Sequence, residues 1–164
     1  MKRILLIFIL LFIACNDNQT QIKKDTYSLI SIESKKITFN KREEVLSTNY
    51  NKPYLLVFLS TWCDYCLGQA QHIANINEEF GDKVNIYGIF IDKDEELTKL
   101  KDFIEKSNTK FEWYYKGDIA KLVDSYKITT FPFMLLYDKF GNLVMSYDGL
   151  TPEEMISFDI KKVI

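Results

Sequence analysis

Histidine is nearly missing from this chain: His72 is the only one in 164 residues. A zinc site built on imidazoles is therefore excluded. Cysteine is scarce too, with three in all, Cys15, Cys63 and Cys66. Hydrophobic residues make up 47% of the chain, enough to bury a core without disulfide staples, so the cysteines need another explanation. There is no block of like charge, and the formal net charge is only −2. That argues against a nucleic-acid partner, which would call for a concentrated basic face. No apolar run reaches the roughly 20 residues that span a bilayer as a helix. Neither an internal repeat nor a low-complexity tract interrupts the chain after residue 25, so the remainder reads as one domain.

The longest apolar run, Ile4 to Ala14, follows Lys2 and Arg3. A basic start, a short apolar core and a small residue at its end form the pattern of a secretory signal. The stretch "LFIAC" resembles a bacterial lipoprotein box, with Phe12 where that box most often has Leu. The resemblance implies cleavage before Cys15, lipidation of Cys15, and a periplasmic location on a bacterial membrane, inner or outer. An ordinary signal peptide with an incidental Cys15 is the alternative. The expected organisation is a signal over 1–14, the lipidated Cys15 with a polar tether over 15–25, and a globular domain over 26–164. Loss of residues 1–14 would leave a formal charge of −4. It would also place the remaining thiols where they are not kept reduced by default.

"YSLISI" and "KITF" flank "ESK" as a hairpin, and "REEVLSTNYNKP" reads as a polar connection with room for one helical turn. "YLLVFL" is continuously apolar, as in a strand covered on both faces. From Cys63 to Phe80 the apolar residues fall at helical spacing, and "KVNIYGIFID" is a second buried strand. Residues 94–107 form an amphipathic helix, "FEWYY" an extended piece, and "DIAKLVDSY" a short helix opened by Asp118. "FMLLYD", "KFGN" and "LVMSYD" give strand, turn and strand. "TPEEMISFDIKKVI" is a last helix, with Thr151 as cap, Pro152 at its first position and Glu154 completing a capping box. The fold class expected is α/β, a central mixed sheet with helices on both faces.

"STWCDYC" stands at the seam between the first buried strand and the helix after it. Cysteines three apart on a first helical turn can close a small disulfide. Unpaired backbone N–H groups at a helix start stabilise a thiolate there. A zinc knuckle would need two further ligands, and only His72 remains. A static crosslink across so short a loop restrains the unfolded chain little. Redox chemistry is the reading that uses the strand-to-helix context.

"FLSTWCDYC" and, some 65 residues later, "ITTFPFMLLYDKFGN" together resemble the thioredoxin superfamily, and most of all its exported, membrane-tethered TlpA/ResA-like branch. The likeness covers residues 26–164. It implies a thioredoxin fold with an extra N-terminal β-hairpin. Catalysis would fall to Cys63, which attacks, and Cys66, which resolves the mixed disulfide. The substrate groove would be formed by Trp62, Asp64, Tyr65, Phe131 and Pro132. Pro132 matches the family's cis-proline beside the disulfide, and the backbone of Phe131 would pair with a substrate peptide as an added strand. Gly149 before the last helix also suits the pattern. No cofactor or metal is implied. Expected partners are proteins bearing disulfides and, by analogy, a membrane electron donor of the DsbD/CcdA type.

Departures from the family carry information. Tyr65 replaces the usual proline or histidine, and Asp64 puts a carboxylate beside the nucleophile, which opposes the helix dipole and favours the reducing direction. Val57 stands where thioredoxins keep a buried aspartate. Gln69 replaces the branch's glutamate three residues after the second cysteine; it can hydrogen-bond but not ionise. The proton acceptor for Cys66 is left open among Glu33, Glu78 and water, and His72 reads as a surface residue. Two other readings fit the sequence less well. A peroxiredoxin would place its cysteine in a Pro/Thr-rich loop, which "STWCDYC" lacks. A non-catalytic binding module, such as a copper carrier or assembly lipoprotein, would in the copper case add a distant histidine, and none follows His72.

Overall fold

The structure is a computed structural model describing residues 24–92 and 97–164. The expected signal, Cys15 and most of the tether lie outside the described residues. The first strand, β1 (Lys24–Ser31), begins two residues inside the stretch read as tether. It pairs antiparallel with β2 (Lys36–Arg42), giving the expected hairpin. A third strand, β3 (Val45–Ser47), replaces the polar connection.

At the centre runs β4 (Tyr54–Leu59), every residue of it buried. Its continuous apolar sequence is what a strand with cover on both faces requires. It pairs parallel with β5 (Asn85–Phe90) and antiparallel with β7 (Phe133–Tyr137). Beyond β5 lies β6 (Glu112–Gly117), parallel to it, and beyond β7 lies the edge strand β8 (Leu143–Asp148). The eight-stranded order is β3-β2-β1-β6-β5-β4-β7-β8. This is the mixed sheet of a thioredoxin fold with an added N-terminal hairpin.

Alternation along the strands sorts the core into two halves. Leu55, Val57 and Leu59 point to one face, which α1 (Asp64–Phe80), α2 (Leu97–Ser107) and α4 (Glu153–Ile160) cover. Tyr54, Leu56 and Phe58 point to the other, covered by α3 (Ile119–Ser125) and by Leu29, Phe39 and Leu46 of β1, β2 and β3. In β3 the Leu46 N–H donates to the Gly141 carbonyl at 2.9 Å, while the Tyr54 hydroxyl donates to the Leu46 carbonyl.

One helix start differs from expectation. Pro152, not Thr151, is the N-cap of α4, and no capping box forms. Thr151 is buried, and its N–H is committed to Gln69 of α1. Asp118 precedes α3, but its carboxylate takes the Ser28 N–H at 3.0 Å and Lys121 at 2.6 Å. The Lys121 hydrogen bond and the Ser28 N–H hold that carboxyl below its usual range. Asp118 is the N-cap of α3, as expected, and its side chain ties the helix to β1 instead of bonding the helix's own first N–H groups.

Gly88 in β5 faces the indole of Trp113, and a Cβ there would overlap the ring. Gly88→Ala should cost about 1–3 kcal/mol of stability by overpacking, read as a lower denaturation midpoint. A midpoint equal to the parent's would show that the indole can step aside.

The core is rich in tyrosine, mostly in its second half, with Tyr147 in the first. Burial pushes the Tyr126 phenol up to about 12, and it raises Tyr54, Tyr87, Tyr114, Tyr137 and Tyr147 further. A phenol held protonated in the fold stabilises it fully below the unfolded value near 10, and that contribution is lost as pH climbs through the folded value. In an alkaline titration, only part of the ten tyrosines should ionise before the far-UV circular dichroism collapses. Complete ionisation near pH 10 in a folded chain would contradict this packing.

Candidate active site

The register of β4 with β7 builds the site. Phe58 pairs with Phe133, so Pro132 arrives at the same sheet end as Leu59 and Ser60. Phe133 in turn pairs with Asp148, which brings Gly149 to that end, where its N–H donates to the Pro132 carbonyl at 2.9 Å. Gly149 has φ +78°, a left-handed conformation that glycine adopts without strain. This is the carboxyl end of the parallel strands, where open α/β sheets place their ligands.

Cys63 is the N-cap of α1 and Cys66 lies in its first turn. Their sulfurs are joined in a disulfide, with the Cα atoms 5.3 Å apart. Cys66 is fully buried, whereas Cys63 is partly exposed. No side chain caps the helix, so its first N–H groups are left to favour negative charge at Cys63. The Cys63 sulfur lies 3.4 Å from the carbonyl oxygen of Phe131. The Phe131–Pro132 peptide bond is cis.

Of the other residues expected in the groove, Trp62 and Tyr65 stand 68% and 66% exposed, and Trp62 meets Phe131 edge-on at 6.4 Å between ring centres. Asp64 is exposed and Pro132 is buried. Leu150, which sequence reasoning did not single out, adds an exposed apolar side chain just after Gly149. Beside Cys63, an open groove of about 510 Å³ runs between α1 and α2, lined by Leu67, Lys99, Asp102 and Phe103 among others. A separate groove of about 420 Å³, by Ile32, Ile104 and Trp113, contains no sulfur.

The loop that delivers the nucleophile is held by a residue that sequence reasoning missed. Asp92, just past β5, accepts the Ser60 hydroxyl at 2.5 Å and the Thr61 N–H at 3.1 Å. Trp62 N–H reaches the Ser60 oxygen at 3.4 Å. The available signal was an acid directly after an apolar run parallel to β4, since that is where such a strand meets the next strand's exit loop.

Neither acid considered for Cys66 lies near it. Glu33 sits on the β1–β2 turn, and β1 is separated from β4 by β6 and β5, about 14 Å across the sheet at ~4.8 Å per strand. Its carboxylate pairs with Lys35 at 3.1 Å. Glu78 is more than three turns along α1 from Cys66, about 18 Å at ~1.5 Å per residue, and faces Lys110 at 3.8 Å. Val57 is fully buried on the face that holds Cys66, within the same apolar cluster. His72, expected at the surface, is half-buried, with Nδ1 3.3 Å from the Thr151 carbonyl.

Residues 31–160 match the AhpC/TSA family. The chain belongs to that family. Thioredoxin 2 of Plasmodium berghei is 31% identical over 64% of this chain and 78% of its own length. Chloroplastic Thioredoxin Y of Oryza sativa subsp. japonica is also 31% identical, over 39% of this chain, and the match spans only 38% of that protein. Among solved structures, StoA from Bacillus subtilis superposes with a TM-score of 0.65 at 18% identity, covering 84% of this chain and 98% of that one. The exposed lipoprotein thioredoxin Etrx1 from Streptococcus pneumoniae strain TIGR4 gives 0.64 at 20% identity, over 84% and 99%. At such identities the structural likeness carries the fold alone. Family, fold and the Cys63–Cys66 pair together make this a disulfide oxidoreductase by class.

Asp92→Ala should cost about 1.5–3 kcal/mol, the range for hydrogen bonds to a charged acceptor, measured as a fall in the urea midpoint of the oxidised protein. An unchanged midpoint would mean the loop holds itself.

Proposed function

We propose that the protein is an exported thiol–disulfide oxidoreductase, lipid-anchored through Cys15 to a bacterial membrane, that reduces disulfides in exported proteins. The observation that carries this reading is the partly exposed Cys63 sulfur at a helix N-cap, bonded to a buried Cys66 and 3.4 Å from the Phe131 carbonyl. In the dithiol state the Cys63 thiolate attacks one sulfur of a substrate disulfide. A mixed disulfide forms, and the first substrate thiolate leaves and takes a proton. Cys66 then attacks the Cys63 sulfur, releasing the second substrate thiol and restoring the disulfide seen here. Two electrons pass to the substrate, and a membrane dithiol donor of the DsbD/CcdA type returns them. Extended substrate backbone would pair beside Phe131, with Trp62, Tyr65 and Leu150 as its apolar rim.

Charge supports the reducing direction. Asp64 sits beside the nucleophile, and Asp92 grips the residue two before it. Both carboxylates oppose a thiolate at Cys63, and a destabilised dithiol is the stronger reductant.

Cys66→Ser blocks resolution, so mixed disulfides through Cys63 should accumulate with exported proteins and appear on non-reducing gels. Absence of any such adduct, with Cys63 still alkylatable, would favour a non-catalytic binding module. Asp64→Asn should raise the reduction potential, by less than about 30 mV because the carboxylate is solvated. A parent potential near the roughly −120 mV of strong disulfide-introducing enzymes would refute the reducing direction.

A further inference from the structure

Among the described residues, one buried side-chain polar atom lacks a hydrogen-bond partner: Nε2 of Gln69. Gln69 is fully buried, and its Oε1 accepts the Thr151 N–H at 2.7 Å. That bond fixes the amide's orientation, because a swapped amide would set its NH2 against another donor. The free NH2 is therefore turned away from Thr151 and inside the protein. Leaving such a buried donor unpaired is costly. A glutamine is hard to account for there unless some state of the protein uses the donor.

One residue of the same buried helix face changes its hydrogen-bonding character during the reaction. Cys66 lies one turn before Gln69 on the same buried face of α1. In the disulfide its sulfur carries no charge and accepts weakly. After reduction it becomes a thiol, and to attack Cys63 it must become a thiolate. That charge would form at a fully buried position packed with Val57, Ala70 and Met134, where nothing apolar can stabilise it. Glu33 and Glu78 are too far away to help.

We propose that the Gln69 side-chain N–H donates a hydrogen bond to the Cys66 sulfur once the disulfide opens, stabilising the resolving thiolate in place. This rests on the reading of Cys66 as the resolving cysteine. Because Oε1 stays on Thr151, the bond also ties the resolving sulfur, through Gly149, to the backbone of Pro132. Glutamine supplies a donor whose state does not vary with pH, where a carboxylate would supply a base.

The test needs no substrate. In the purified protein, the Gln69 side-chain amide resonances should move downfield on reduction with dithiothreitol and then titrate with the Cys66 midpoint. Gln69→Met keeps the side-chain length and removes the donor, together with the acceptor for the Thr151 N–H. It should raise the Cys66 midpoint and shift the dithiol/disulfide equilibrium with glutathione about tenfold toward disulfide, or about 30 mV. Amide resonances unchanged between the oxidised and reduced proteins would overturn the proposal, as would a Cys66 midpoint identical in parent and variant. Failure to trap substrate would count against the reductase reading while leaving the amide shift intact, so the two are separable.

Discussion

The register of one buried strand against its two neighbours is the constraint on which the site depends. With β4 parallel to β5 and antiparallel to β7, the exit of β4, the exit of β5 and the entrance of β7 meet at one end of the sheet. Those three positions deliver Cys63, Asp92 and Pro132. A slip of one residue in the β4–β7 pairing would turn Val57 and its partners to the opposite face and carry Pro132 away from the sulfur. Six consecutive apolar residues hold that register because both faces of β4 are covered, by α1, α2 and α4 on one side and by α3 with the hairpin on the other.

Charge is distributed around the disulfide with a clear asymmetry. Outside Cys63 lie the helix N-terminus, the exposed Asp64 and, behind the loop, Asp92. Inside, Cys66 sits in an apolar cluster, and the buried Gln69 lies one turn further along α1. The outer sulfur thus feels opposing fields, a favourable helix terminus and unfavourable carboxylates. The inner sulfur feels chiefly desolvation. Unequal surroundings suit unequal roles: attack requires an accessible thiolate, whereas resolution requires a sulfur that waits, buried, within reach of its partner.

Much of this was legible in the sequence because it rests on local periodicity. The continuous apolar run of β4, the helical spacing after Cys63 and the "KFGN" turn each have a short-range signature, and each element is present. What was not legible depends on contacts across the chain. β3 looked like a polar connection because charged and polar residues surround Val45 and Leu46. It is a strand because β2 pairs with it and the β7–β8 turn, nearly a hundred residues on, bridges to it. Thr151 looked like a helix cap because its local pattern is a good one. Gln69, far away in sequence, claims its N–H first. Glu33 and Glu78 stayed in contention for Cys66 only because a sequence carries no distances.

The hairpin and the tyrosine-lined half-core bear on the site only indirectly, and that separation has a physical use. Exchange opens and closes a bond at the β4–α1 junction, so α1 has to tolerate a change at its first turn without loosening the sheet. The helix face below Cys66 packs through Ala70, Ile73 and Phe80, while Tyr54, Leu56 and Phe58 anchor β4 from the opposite side against Phe39 and Tyr137. The second anchor contains neither sulfur nor any group that changes state during exchange. It holds the register of β4 whatever the oxidation state of the cysteines, so the Phe131 carbonyl and the Cys63 sulfur can keep their relative placement through both halves of the reaction.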